Sequence, residues 1–405
     1  MGRIAVIGTL DSKGVEHQFI ADGIAATGHQ PILIDVGGLH PPCVSPDVSR
    51  ETVAAAANVN LDAILAQKDR GALVSAMSSA AARYVKEAYG RGDFDGIISL
   101  GGSGGTAIAT AAMRELPIGV PKVMVSTMAS GDVQDYVGEK DVVMFPSIVD
   151  VAGLNRFSRL IFSRAVGAIC GMVDATPSAT EERPIIVASM FGNTTECVQE
   201  GQRELEAAGF EVLVFHATGA GGRTMESLIE SGMVSGVFDV TTTEWADELV
   251  GGVLRAGPHR LEAAAKMGVP AVVAPGCLDM VNFGSPDSVP KKFSDRLFYP
   301  HNPQVTLMRT SVEESQQLGK IIAEKLNQST GPVTVLLPLK GLSVIGAEGQ
   351  PFYLPEADQA LFEAIRKGVK DGISIIEVDA LVNDPIFAQA CVKALIGNMA
   401  RKTVS

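Results

Sequence analysis

The segment Ile98-Ser99-Leu100-Gly101-Gly102-Ser103-Gly104-Gly105-Thr106-Ala107 constrains this chain more than any other. The apolar run from Gly96 to Leu100 reads as a buried strand. Four glycines in five residues follow it, and Thr106 to Arg114 reads as a helix. Strand, glycine loop and helix N-terminus in succession form the working unit of an open α/β sheet. Glycines let a ligand come close to the backbone, and the first N–H groups of a helix favour an anion. The loop therefore predicts a phosphate group, held by N–H groups from Gly102 to Thr106. Gly102-x-Gly104-x-x-Ala107 also fits the loose dinucleotide fingerprint. The alternative is a tight strand-to-helix turn that binds nothing.

The same alternation runs through the whole chain. In the first half, strands are expected at Arg3–Thr9, Pro31–Val36, Gly96–Leu100 and Lys122–Thr127. Helices are expected at Val15–Thr27, Leu73–Tyr89, Thr106–Arg114 and Asn155–Val173. A polar, proline-bounded stretch from Asp174 to Pro184 then reads as a linker. A second series begins at Ile185–Met190 and continues to Pro385–Met399. The fold class expected is α/β, with two Rossmann-like domains built on mainly parallel sheets. Domain one covers 1–176, the linker 177–184 and domain two 185–405. In such sheets ligands bind beyond the carboxyl ends of the strands.

Composition narrows the function. The 405 residues are 46% hydrophobic and 20% charged, enough for two globular domains. A net charge of −13 argues against a nucleic-acid or anionic-membrane surface. The five cysteines are scattered with no CxxC pair, which points to a reducing compartment and no zinc site. No signal-peptide pattern opens the sequence, and no run reaches 18 apolar residues. A cytoplasmic protein with no nucleic-acid or membrane partner is expected.

The loops after strands supply the candidate site residues. Thr9-Leu10-Asp11-Ser12-Lys13-Gly14 offers Lys13 to neutralise phosphate charge and Asp11 to hold Mg²⁺ through water; the alternative is a helix cap. Ser126, Thr127, Ser130 and Gly131 follow another strand and suit the rim of a nucleotide pocket, or an ordinary turn. That strand lacks the acidic residue that a dinucleotide ribose wants, so a mononucleotide ranks above NAD. In the second half, Gly219, Gly221, Gly222 and Arg223 form another glycine loop at a helix start. With Asn302 they are the expected substrate contacts. Glu244, Asp279, His301, Arg309 and Lys340 also follow or flank strands. Gathered at one crevice, they would hold a small anionic metabolite, with Arg309 as second clamp and His301 as acid/base. The alternatives are a solvated Arg223, a loop histidine and a small buried Cys277. Around the helix at Asn155–Val173, residues Leu154, Phe157, Leu160, Ile161, Ala165, Ile169 and Met172 make an apolar surface wider than one stripe. It predicts a homodimer contact, or burial against the chain's own sheet and second domain.

Several of these segments resemble one family. They are Gly8–Gly14, Ser99–Thr106, Phe215–Arg223, Pro275–Gly284 and His301–Thr310. The family comprises the bacterial, fungal and plant proteins that share the ATP-binding domain of the tomato mosaic virus resistance protein. The resemblance runs from residue 3 to about residue 400. It implies two Rossmann-like domains, ATP with Mg²⁺ on the first, and a dimer. One departure is Gly346, where the resemblance leads one to expect an aspartate. Three readings follow: an ATP-binding enzyme acting on a small anionic metabolite, a non-catalytic ATP-sensing dimer that binds a protein partner, and a lyase or hydrolase using domain two alone.

Overall fold

The computed structural model describes residues 1–176 and 182–402. Residues 177–181 of the expected linker lie outside them. The chain divides into two compact units, Met1–Ala179 and Thr180–Ser405.

The first unit runs β1 (Arg3–Gly8), α1 (Leu10–Ala26), β2 (Gln30–Asp35), α2 (Arg50–Ala56), α3 (Leu61–Gln67), α4 (Arg70–Gly90), β3 (Gly96–Gly101), α5 (Ser103–Arg114), β4 (Lys122–Ser126), α6 (Gln134–Val137), β5 (Val143–Pro146) and α7 (Arg156–Asp174). Its five strands pair in parallel in the order β2-β1-β3-β4-β5. Alternate strand residues go to opposite faces. Ile4, Val6, Ile98, Leu100 and Val123 pack on α1 and α7, while Ala5, Ile7, Ile97 and Met124 pack on α4 and α5. Burial on both faces explains why these strands read as unbroken apolar runs. On α7, Ala165 and Ile169 are buried against this sheet, whereas Phe157 and Leu160 are exposed.

The second unit runs β6 (Ile185–Met190), α8 (Thr195–Ala207), β7 (Glu211–His216), α9 (Ala220–Glu230), β8 (Val234–Thr241), α10 (Glu244–Val250), α11 (Glu262–Met267), β9 (Ala271–Gly276), β10 (Met280–Phe283), β11 (Phe298–Asn302), β12 (Val305–Arg309), α12 (Val312–Leu326), β13 (Val333–Pro338), α13 (Pro355–Gly368), β14 (Ser374–Val378) and α14 (Pro385–Lys402). Six strands form a parallel sheet in the order β14-β13-β9-β8-β6-β7. The α/β class and the mainly parallel sheets agree with the sequence.

Three local readings are corrected. The loops expected around Pro275–Gly284 and His301–Pro303 contain β10 and β11, which flank β12 in a small antiparallel sheet. Helix α5 begins at Ser103 and takes Gly104 and Gly105 into its first turn. Helix α1 begins at Leu10, directly after β1. Non-helical dihedrals at Lys13 (φ −132°, ψ 22°) interrupt it, and there the Lys13 carbonyl accepts from His17 Nδ1 at 2.7 Å.

Candidate functional site

In each parallel sheet the chain starts on a central strand, crosses one way, then returns to the other side. The first sheet's crossovers diverge between β1 and β3. A crevice opens there beyond the carboxyl ends of both strands, as the geometry of such sheets requires. Thr9, Asp11 and Ser12 from the end of β1 meet Gly104 and Gly105 from the start of α5, with Arg70 at the start of α4. The space is about 70 Å³, room for a few waters or a phosphate group and too little for a base.

Two helix N-termini point at this switch point, and their states differ. At α1, Asp35 at the end of β2 accepts from Leu10 N at 3.1 Å and from Gly37 N at 2.8 Å. Its other oxygen is buried without a partner, and burial pushes the carboxyl up. Helix α1 thus carries its own anion. At α5, Gly102 occupies the cap position and no side chain caps the turn, so the N–H groups of Ser103, Gly104 and Gly105 stay open. The Thr106 N–H is withdrawn from the expected set, because it donates to Gly102 O at 2.8 Å. Arg70 and Lys13 make no ion pair among the described residues.

Other first-unit expectations are corrected by partners already present. The Asp11 carboxylate is committed to the backbone: Oδ2 accepts from Gly38, Leu39 and His40 N–H groups at 3.2, 2.8 and 3.2 Å. That oxygen closes the loop after β2, so only Oδ1 is left toward a cation. Among the described residues, no group of three or more His, Cys, Asp or Glu side chains is arranged to hold a metal ion. Ser126 Oγ bonds the Thr106 hydroxyl at 2.6 Å and accepts from Met128 N at 2.9 Å, so it joins β4 to α5 and does not face a ligand. Thr127 lies near Gly102. Ser130 and Gly131 are exposed in the next turn, outside the crevice lining. Gly101 is needed by the fold, since a Cβ there would sit 3.0 Å from the Gly105 Cα.

The second sheet's switch point lies between β6 and β8, and its own side chains fill it. Thr194 and Thr241 hydroxyls bond at 2.8 Å, Ser189 donates to Asp239 at 2.6 Å, and Thr241, Thr242 and Thr243 have no solvent exposure. The expected anion loop is already occupied. Glu244 Oε1 accepts from Gly219 N at 2.7 Å and Gly222 N at 3.1 Å, while its Oε2 accepts from Arg260 Nε at 2.7 Å. Glu244 is therefore the resident anion of that helix start, and its place as an acid/base group at an open crevice is withdrawn. Arg260, which the sequence reading missed, is buried and also binds Asp239 and Glu226. Those carboxylates hold its guanidinium charged against desolvation, and burial pushes the Glu226 carboxyl up.

The glycines of this loop have structural causes. Gly219 has φ +84°, and a Cβ would lie 1.8 Å from His216 O at Gly221 and 2.1 Å from Glu244 Oε2 at Gly222. Arg223 donates to Arg255 O at 3.0 Å. Arg309 is no clamp either: it is buried, and its guanidinium donates to Phe352 O, Thr310 Oγ1 and Asp358 Oδ1. Asp279 is buried and accepts from Ser343 Oγ at 2.5 Å; burial raises its carboxyl and Arg309 opposes the rise. A Cβ on Gly346 would stand 2.4 Å from Asp279 Oδ2, so this packing excludes the aspartate that the resemblance led one to expect. His301 and Asn302 are exposed on β11, where Asn302 Oδ1 accepts from Gln304 N at 2.9 Å and shapes the hairpin. Lys340 pairs with Asp379 at 3.0 Å beside a separate cleft. The ten second-unit residues do not assemble into one anion site. Cys277 is buried with φ +59°, and burial beside Asp279 pushes its thiol well above its ordinary range.

Residues 2–178 match the N-terminal domain, and residues 183–399 the C-terminal domain, of the family described as Uncharacterised protein family (UPF0261). A UPF0261 protein of Clostridium tetani is 50% identical over 401 residues, 98% of this chain and 99% of that one. The ToMV resistance protein Tm-1(GCR237) of Solanum lycopersicum is 42% identical over 336 residues, 81% of this chain and 44% of that protein. Among solved structures, a Streptomyces sp. SF2575 glycosyltransferase complexed with thymidine diphosphate aligns over 99% of this chain and 96% of its own. The TM-score is 0.19 and the identity 12%, so this likeness carries no argument. No helix among the described residues is long and apolar enough to cross a membrane.

Proposed function

The chain belongs to the uncharacterised protein family UPF0261, and we propose that its first unit binds a nucleotide by its phosphates at the β1–β3 switch point. One steric observation carries this reading. At Gly102, Gly104 and Gly105 an added Cβ would meet nothing closer than 3.5 Å, and none of the three has a positive φ. The fold does not need glycine there. Two of them sit in the first turn of α5, where glycine in a helix interior costs about 0.5–1 kcal/mol relative to alanine. Close approach by something outside the chain accounts for all three. The second glycine loop, whose residues are each required by internal contacts, is the control.

The open N–H groups of Ser103, Gly104 and Gly105 would hold phosphate oxygens, with Arg70 and Lys13 offsetting their charge. ATP is the nucleotide that the family resemblance implies. Mg²⁺ would arrive on its phosphates, with Asp11 Oδ1 the one oxygen of that carboxylate left to meet it. The base would lie outside the 70 Å³ crevice, along the strand ends toward Thr127, Ser130 and Gly131. Calorimetric titration of the full chain with ATP, ADP and adenosine, with and without Mg²⁺, tests this. Affinity should rise with the number of phosphates; equal binding of adenosine and ATP, or no binding of either, overturns it. The homodimer remains part of the proposal, with Phe157 and Leu160 of α7 exposed at 59% and 47% as its contact. A monomer in light scattering at micromolar concentration would remove it.

A further inference from the structure

We propose that the cleft at the carboxyl end of β13 is a binding site for a small primary amine, with Asp358 as its anchor. This goes beyond the nucleotide reading and does not depend on it. The cleft holds about 400 Å³, within the size range of small-molecule sites. It opens where β13 ends and Leu339 and Lys340 begin, the end of a parallel sheet at which ligands bind.

Asp358 stands in the first turn of α13 and is only 8% exposed. Arg309 Nη2 donates to its Oδ1 at 2.6 Å, and Arg309 is itself fixed by the Phe352 and Leu354 carbonyls. The other Asp358 oxygen has no hydrogen-bond partner among the described residues, in a side chain that lines the cleft. A carboxylate so rigidly held presents its free oxygen to the solvent of the cleft, where a charged donor can take it.

The remaining lining sets the donor's charge. Glu348 adds a second carboxylate at the exposed side, and the one cation of the wall, Lys340, already pairs with Asp379. An anion would meet two carboxylates and no unpaired cation of the lining. An ammonium would meet Asp358 and Glu348, while Tyr353, Phe362 and Leu381 cover an attached apolar body. This inverts the charge of the ligand expected for the second unit.

Burial, opposed by Arg309, holds the Asp358 carboxyl at about 6. Asp279 and Glu356 also raise it, and Glu348 and Lys340 face it across the cleft. A raised carboxyl is anionic above that value, so amine affinity should increase from pH 5 to pH 8.

Benzylammonium, benzyl alcohol and benzoate, matched in shape, are the probes for calorimetry on the full chain at pH 8. Benzylammonium should bind saturably, and the alcohol and benzoate about tenfold more weakly or not at all. Asp358→Asn should weaken the amine about tenfold. Because that variant also removes the Arg309 counter-ion and can fail to fold, Glu348→Gln and the cleft-filling Leu381→Trp provide a second measure. Glu348→Gln should weaken the amine a few-fold with the melting temperature unchanged, and Leu381→Trp should abolish its binding. Benzoate binding as tightly as the amine, no saturable amine binding, or amine affinity unchanged in the folded variants overturns the proposal.

Discussion

Replacing Gly104 with alanine separates a glycine kept for the fold from one kept for a ligand. The new methyl would lie 3.5 Å from Val74 Cγ2, ordinary van der Waals contact, with no other atom inside 4 Å. Gly104 is the second residue of α5, already helical in conformation. The substitution removes the backbone freedom of glycine in the unfolded chain and should stabilise the first unit by about 0.5–1 kcal/mol. For a unit of this size, 1 kcal/mol corresponds to roughly 2–4 °C, so the unliganded protein should melt about 1–4 °C higher. The same methyl stands beside the Gly104 N–H, where a phosphate oxygen would need to approach. ATP affinity should fall at least about tenfold, which is roughly 1.4 kcal/mol. Thermal unfolding without nucleotide gives the first quantity and calorimetric titration the second. A lower melting temperature would mean that the fold needs this glycine. An unchanged affinity in the stabilised variant would mean that no phosphate reaches it.

Further outcomes concern the buried charges of the second unit. Arg260→Met should destabilise it by about 3–5 kcal/mol at pH 7, because Asp239, Glu244 and Glu226 lose their buried counter-ion; a urea-unfolding loss below 1 kcal/mol would refute this. Gly222→Ala should be destabilising where Gly104→Ala is stabilising, since its Cβ would stand 2.1 Å from Glu244 Oε2; equal melting temperatures for the two variants would contradict the steric distinction. Burial pushes the Asp247 carboxyl up to about 7 from its ordinary 3.8. A raised folded value means that folding takes up a proton, so this group's contribution is full at low pH and is lost as pH rises from about 4 through about 7. The effect is on the order of 4 kcal/mol, read as a falling urea midpoint over that interval.

The alternating α/β order was legible because parallel strands buried on both faces read as apolar runs, as Gly96–Leu100 does. The antiparallel sheet was not, because β10 to β12 are four or five residues long and Pro300 interrupts β11. The loops at Thr9 and Gly104 were legible as strand ends, and the fold brings them together. Arg70 was missed because it opens α4 beside the loop Asp69 cap, ahead of the apolar pattern that begins at Leu73. The occupant of the second glycine loop was invisible for another reason. Glu244 lies 22 and 25 residues from the N–H groups it accepts from, and only the fold, which sets the start of α10 beside the start of α9, brings them together. Arg309 shows the converse: an arginine after a strand reads as a clamp until its five donors are found engaged in the core.

The central place of β1 has a consequence for how the first unit forms. β1 can pair with β2 early, but its other edge waits for β3, which follows some ninety residues later in the chain. The crevice exists only once that long loop has closed, and loop closure of this kind delays folding. A nucleotide held there has nothing to bind in earlier species. It would act after that closure, slowing the loss of the native state and leaving the rate of its formation nearly unchanged.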